Sequence, residues 1–584
     1  MNRYCCLVLK ALIIFITHVA WSQAIDHRET VVSVEVTWRD FISHSESNLS
    51  WRTFQIHDQW FSYRPPPTSF QIPLAFTSSN LPIMVVTTES RMAIPDEPKI
   101  KAHLGIIYNG EEKRNHLSDA FNEYDGMIGI ERRGNVTQSF PKKPYNFETR
   151  DEAGNNRNVS LLGMPEENDW VLRAVYIDKT LMRNSIAHRM SRLMGNYSSR
   201  TAFCELVLNG QYEGVYILME KIKPDKNRVN IAKMDATDIS GEAVTGGYIY
   251  EVAQGGADFG KRRRFKYPKA TDIEPEQAAY IRQYDDGFRI MMARDNFADP
   301  ISGYPAWIDV DSFIDEILVQ EACKNSDAYG WSSFFHKDRL GKLRAGPVWD
   351  FDQALSNSTF SEGPRTDEWQ IEKGYADHPF FWKKLFHELE FKHRLSHRWF
   401  ELRKTVFHTD SLLEYIDQTA IYLNEAQQRN FKRWPILGVE LWRSTPGWAE
   451  RDTYQKEVDY LRHWFVRHLA WIDAQLAPFD TSLKNSSTNQ GLLPINFQLY
   501  PNPCAAKTTF HYQLTAPATV QVTIYNLLGR VIFTFPNQNQ PAGEYHLTWN
   551  GLDQHGQSVA SGFYLVNIRV NNRPRQSLKL VKYE

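Results

Sequence analysis

Apolar and polar positions divide the chain into a mixed α and β stretch, a long helical stretch and a final all-β stretch. Alternation from about residue 30 ("VVSVEVTW", "WRTFQIHDQWF"), broken by Pro65-Pro66-Pro67, predicts a β-rich N-terminal segment over 23–80. Strands follow in "LPIMVVTT", "KAHLGIIYNG" and "DGMIGIERRGN", and another, "KKPYNFET", is opened by Lys142 and Lys143. Apolar spacings of three and four over 178–195 predict a helix, with Asp178 as its cap and Gly195 as its stop. "AFCELVLNGQYEGVYILMEKIK" reads as two strands around an Asn209-Gly210 turn. A second helix covers 309–325, two short strands lie in "WSSFFHKD" and "KLRAGPVWDFD", and 380–478 is helical.

The polar stretch 481–494 reads as a linker. Beyond it, "TTFHYQL", "TVQVTIYN", "RVIFTF", "EYHLTWNG" and "GFYLVNIRV" alternate with turns between them, which predicts an independent Ig-like β-sandwich over 495–584. The predicted fold class is therefore α+β over 81–480, followed by an all-β domain.

Composition adds boundaries rather than chemistry. At 584 residues the chain exceeds one ordinary core, and a formal net charge of −2 argues against bulk affinity for nucleic acid. The basic run "GKRRRFK" (260–266) reads as a solvated loop. At the N-terminus, Arg3, an apolar run to Val19 and small residues at Ala20 and Ser22 predict a secretory signal over 1–22. No later apolar run is long enough to span a membrane, so an exported mature chain without a transmembrane segment is expected. Past that signal, Cys204, Cys323 and Cys504 form neither a disulfide framework nor a zinc pattern.

The candidate chemistry centres on "GPVWDFDQAL" (346–355), where Asp350 and Asp352 flank a phenylalanine. On an extended strand, residues two apart face the same way, so the two carboxylates could share one metal ion. Taken alone, the pair is equally a strand end decorated with charge. Asp327, after the second helix, reads either as a general base or as a turn residue.

Five ordered blocks settle how these residues are to be read together. "RRGNVTQSFPKKPYNFET" (132–149), "LLGMPEENDWVLRAVYIDKTLMRNSIAHRM" (161–190), "ELVLNGQYEGVYILMEKIKPDKNRVNI" (205–231), "NSDAYGWSSFFHKD" (325–338) and "GPVWDFD" resemble the CotH family, the spore-coat protein H-like atypical protein kinases. The resemblance implies a two-lobed kinase-like domain transferring the γ-phosphoryl group of ATP to Ser or Thr of a protein, with Mg²⁺ or Mn²⁺. It implies a phosphate-gripping lysine at Lys142 or Lys143, only one of which can face the nucleotide, and Arg183 on phosphate or bracing the lobe. It implies an adenine-reading hinge at Glu220, Lys221 and Ile222, largely through main chain. Asp327 becomes the residue that orients the acceptor hydroxyl, Asp350 and Asp352 the metal ligands, and Ser332 stands five residues after Asp327 where kinases place a second-metal Asn. No G-x-G-x-x-G loop is present; Arg132, Arg133 and main-chain amides around Gly134 could cover the phosphates instead. The same fold without the chemistry would give a surface structural or adhesion protein. A carbohydrate-active enzyme would suit the aromatic content, but no carboxylate pair stands out for it.

The C-terminal blocks "LYPNPCAAKTTFHYQL", "VQVTIYNLLGRVI", "HLTWNGLDQHGQSVASGFYLVNIRV" and "QSLKLVKYE" resemble the sorting domain of Bacteroidetes type IX secretion cargo. That resemblance implies the type IX machinery as a partner and a secreted or cell-surface location.

Overall fold

The computed structural model describes residues 52–56, 59–63 and 76–583, apart from 254–255, 260–261, 374–378, 480–496, 515, 527–529 and 572. The expected signal (1–22) and linker (481–494) lie outside the described residues, as does most of the segment 23–80, of which strands Arg52–Ile56 and Gln59–Tyr63 are described. The chain forms two compact units, Met1–Asp480 and Thr481–Glu584.

Seven strands of the first unit close into a barrel. They are β1 (Ile83–Thr88), β2 (Ile100–Ile107), β3 (Tyr124–Arg132), β4 (Tyr145–Arg150), β5 (Asp169–Arg173), β6 (Thr201–Leu208) and β7 (Gln211–Glu220), in the order β5-β7-β6-β1-β2-β3-β4. β4 pairs with β5 to close it, and β6 with β1 is the parallel pairing. Asn209 and Gly210, at φ 52° and 81°, make the β6–β7 turn, the left-handed geometry that an Asn-Gly pair favours.

Alternation in the strands sorts side chains between the barrel interior and the layer outside it. In β5, Trp170 and Leu172 join Leu104, Phe147 and Leu218 in the barrel core. Val171 packs instead in the larger core shared with the helices, and Arg173, two residues on, reaches out of the barrel to Asp350 and Asp352. Likewise, Tyr216 and Leu218 of β7 face inward while Val215, Ile217 and Met219 face that larger core.

The larger core also takes in α1 (Arg183–Leu193), α2 (Pro275–Ala293), α3 (Val310–Ala322), α4 (Phe381–His387), α5 (Leu389–Leu402), α6 (Thr409–Arg433) and α7 (Tyr454–Leu476). A four-stranded sheet accompanies them: β8 (Tyr248–Val252), β9 (Arg263–Tyr267), β10 (Ser333–Lys337) and β11 (Leu343–Ala345), in the order β9-β8-β10-β11. α3 is buried on almost every side, as expected of a central helix, and Asp309 caps it by accepting from Ser312 N at 2.9 Å. α1 begins five residues later than its pattern predicts, at Arg183, yet Asp178 still serves its N-terminus by accepting from Arg183 N at 2.8 Å. The mixed helix and strand content makes this unit α+β.

In the second unit, Phe497–Tyr500, Thr508–Leu514 and Gly543–Trp549 form one antiparallel sheet. Val531–Thr534, Ala518–Asn526, Gly562–Val570 and Arg573–Lys582 form another, with Gln538–Gln540 also on Ala518–Asn526. Phe510, Val522, Trp549, Val566 and Leu580 fill the core of this unit. Cys204, Cys323 and Cys504 are free and buried. Among the described residues no helix is long and apolar enough to cross a membrane.

Candidate functional site

A cleft of about 880 Å³ opens where the barrel meets the helical layer, and Arg173, Lys221, Asp327, Ser332, Asp350 and Asp352 all line it. Asp327 is delivered by the turn after α3, Ser332 by the lead into β10, and Asp350 and Asp352 by the loop after β11. The expected strand does not reach these last two residues. β11 ends at Ala345 and Asp350 sits in the left-handed region at φ 64°, so strand alternation is not what aligns them. A non-glycine residue there costs on the order of 1 kcal/mol, which neighbouring contacts must offset.

Those contacts come from β5 and α1. Arg173 Nη1 donates to Asp350 Oδ1 at 2.8 Å and to Asp352 Oδ2 at 2.9 Å. Asn184 of α1 accepts from Phe351 N at 3.0 Å and donates to Asp352 Oδ1, clamping the residue between the aspartates and the second of them. Burial raises the Asp352 carboxyl above its ordinary value, Arg173 opposes this, and the Asp350 charge adds to it. Burial would lower the Arg173 guanidinium, but Asp352 and Asp350 together hold it above its ordinary value.

Asp327 accepts from Gln353 Nε2 at 2.8 Å on Oδ2, and Gln353 Oε1 accepts in turn from Arg443 Nη1 at 2.6 Å. Its other oxygen, Oδ1, is buried and has no hydrogen-bond partner among the described residues. Burial first, and then the Asp350 charge, push the carboxyl up to about 7. An orphaned carboxylate oxygen beside a cleft is an acceptor waiting for a donor, because leaving one unmade costs about 1–3 kcal/mol.

The roof of the cleft is the segment after β3. Gly134 sits at φ +92°, and a Cβ there would lie 2.0 Å from Thr137 Oγ1, so glycine is required for the bend. The guanidinium carbons of Arg133 and Arg173 lie 5.5 and 5.4 Å from the Trp349 ring centre. Burial, and then repulsion by Arg173, lower Arg133 to about 10. Two arginines that disfavour each other beside two aspartates match a ligand carrying both anionic oxygens and a cation.

Four of the residues expected here are elsewhere. The strand opened by Lys142 and Lys143 begins only at Tyr145, and neither lysine lines the cleft. Lys142 is 2% exposed and donates to Val215 O and to Asn430 Oδ1 at 2.8 Å, tying β7 to α6; burial lowers it to about 7. Lys143 donates to Gln138 O at 2.7 Å within the roof segment. Arg183 is buried against Asp178 and Thr180 and donates to Leu355 O at 3.2 Å, so it braces α1 against the chain beyond Asp352. Glu220 is fully buried and holds Arg200 through Nη1 at 2.7 Å and N at 2.9 Å. Of the expected hinge, Lys221 and Ile222 line the cleft, and the Lys221 carbonyl is already taken by Arg228 Nη1 at 2.9 Å.

Sequence reasoning missed Arg173, Asn184, Gln353 and Arg443. The one available signal was that Arg173 ends an apolar strand run, "DWVLR", in register with Val171.

Two conserved-domain models match the chain: CotH kinase protein over residues 130–472, and FlgD Ig-like domain over 504–573. None of the curated proteins matches. Among solved structures, dimeric latent PorU from Porphyromonas gingivalis is 21% identical, at TM-score 0.15, with 16% of this chain and 10% of that chain covered. FlgD from P. aeruginosa is 17% identical, at TM-score 0.12, with 16% of this chain and 76% of that chain covered. The alkylpurine DNA glycosylase AlkC from Pseudomonas fluorescens is 12% identical, at TM-score 0.13, with 39% and 78% covered.

Proposed function

Because the chain belongs to the CotH kinase protein family, we propose that its cleft transfers the γ-phosphoryl group of ATP to a Ser or Thr hydroxyl of a protein, in a two-lobed kinase-like manner, with Mg²⁺ or Mn²⁺. The observation that carries this reading is Asp327 Oδ1, a buried acceptor without a partner among the described residues, on the same cleft as Asp350 and Asp352. Asp327 orients the acceptor hydroxyl and takes its proton on Oδ1 as the new P–O bond forms; the electron pair of the broken bond leaves with ADP. Gln353 fixes the carboxylate through Oδ2.

Asp350 and Asp352 fit a magnesium-type ion, which binds through one or two carboxylates and substrate phosphates rather than an all-protein cage. When bound, such an ion spreads positive charge over the transferring phosphates. Among the described residues no group of three or more His, Cys, Asp or Glu side chains gathers to hold a metal, which agrees with a site completed by the nucleotide. Arg173 and Arg133 serve the phosphates, the role first expected of Lys142 or Lys143, and Lys221 and Ile222 border the base.

A second reading, a surface structural or adhesion protein with the fold but not the chemistry, is favoured by Arg173, which ion-pairs with both aspartates at once, and by Ser332 in the second-metal position. Incubation with γ-labelled ATP decides between them. Metal-dependent label that disappears in Asp327→Asn and in Asp350→Ala supports the kinase; no metal-dependent label in the wild type supports the second reading.

For the C-terminal unit we propose type IX export to the cell surface, supported by the sorting-domain resemblance of its sequence blocks and by their place after a signal-like N-terminus. Removing 495–584 should trap the protein in the periplasm; surface display without it overturns this proposal.

A further inference from the structure

A second cavity, of about 480 Å³, is walled by one face of α3, the end of α1, the β10–β11 turn and residues 346–348, which lead to Asp350. Most of its charged walls are already paired. Asp309 caps Ser312 N and holds Arg344, Asp315 is held by Arg398 and by Asn196 Nδ2 at 2.8 Å, and Asp338 accepts from Ala232 N at 2.9 Å. His336 Nδ1 lies 3.0 Å from Gly346 O.

Glu316 is different. It is 5% exposed, its hydrogen bond among the described residues is from Gln320 Nε2 to Oε1 at 2.8 Å, and Oε2 lies 3.5 Å from where a Cβ on Gly346, another wall residue, would stand. Burial holds this carboxyl up to about 7, with the Asp315 charge adding to the effect. A carboxylate so placed gains most from a donor that brings its own positive charge.

Glu316 is also the first member of a chain of side chains. Gln320 Oε1 accepts from Asn325 Nδ2 at 3.0 Å, Asn325 Nδ2 reaches Asp350 O at 3.2 Å, and Asn325 Oδ1 accepts from Asp327 N at 3.3 Å. One amide thus touches the backbone of Asp327 and Asp350, and its own partner leads to the second cavity.

We propose that this cavity binds a small organic cation through a primary ammonium group on Glu316 Oε2, and that Gln320 and Asn325 carry its presence to Asp327 and Asp350. Only the second half, the coupling, rests on the kinase reading.

The full chain titrated with 1,4-diaminobutane, and separately with 1,4-butanediol as a neutral isostere, tests the site. The diamine raises Tm in a saturable way, the diol does not, and the diamine effect is lost in Glu316→Gln. Equal shifts from diamine and diol, no shift at all, or an undiminished shift in Glu316→Gln overturns the site. The wild-type comparison of the two probes decides even if the variant folds poorly. For the coupling, the diamine should change the apparent Kd for Mg-ATP by about five-fold or more, with Mg-ATP changing the diamine Kd by the same factor. Gln320→Leu should keep diamine binding and lose that change; if it keeps both, the relay is wrong. If Mg-ATP does not bind at all, the kinase reading and the coupling fall together, while the diamine titration still decides the site.

Discussion

Arg173 divides one guanidinium nitrogen between Asp350, at 2.8 Å, and Asp352, at 2.9 Å, and so fastens the last residue of β5 to the loop that follows β11. Arg173 is 3% exposed, and a carboxylate pair deprived of its buried cation is costly, about 3–5 kcal/mol. Arg173→Met should therefore unfold at lower urea concentration than the wild type. Millimolar Mg²⁺ should restore part of the loss, because an ion between the carboxylates replaces the missing charge. If Mg²⁺ stabilises the variant no more than the wild type, Asp350 and Asp352 do not take the ion.

Asp327 links activity and stability in opposite directions. Its carboxyl is raised to about 7, so between about pH 4 and 7 the folded state holds a proton that the unfolded state has released, and wild-type stability falls as pH rises through that window. Asp327→Asn lacks this fall. The variant should melt at or above the wild-type temperature at pH 8 while phosphoryl transfer drops by about 10²–10⁴-fold. A variant that is both inactive and much less stable at pH 8 would mean that Asp327 is structural.

Gln353 acts through Asp327 rather than on substrate. Its Nε2 stabilises the ionised carboxylate, so Gln353→Leu should raise the pKa of the base and move the acidic limb of the pH–rate profile upward, with activity at high pH less affected. A uniform loss at every pH would point to a general packing defect instead.

Lys142 is expected to matter for folding and not for nucleotide. Removing its bonds to Val215 O and Asn430 Oδ1 should cost about 1–3 kcal/mol and leave the apparent Kd for Mg-ATP unchanged. The pH dependence gives an independent check. With the folded pKa lowered to about 7, the unfolded state binds the extra proton between about pH 7 and 10, so wild-type stability rises with pH there. Lys142→Met should lose that rise. A large fall in nucleotide affinity would return Lys142 to the site.

The sequence by itself determined what local geometry controls. Alternation in "DWVLR" sets Trp170 and Leu172 against Val171 and Arg173, Asn209-Gly210 fixes the β6–β7 turn, and Asp309 caps α3, because each depends on residues within one strand, turn or helix end. Asp327, Asp350 and Asp352 were legible as a group through ordered motifs, and they share a cleft. Which cation faces them was not legible. Arg173 meets Asp350 across 177 positions, while Lys142, one of the two lysines that the motif order offered, is claimed by Asn430 across 288. Periodicity tells which way a side chain points, but not what closes over it. Desolvation and pairing across distant segments set the charge and the work of a buried group, and those are decided only when the chain folds.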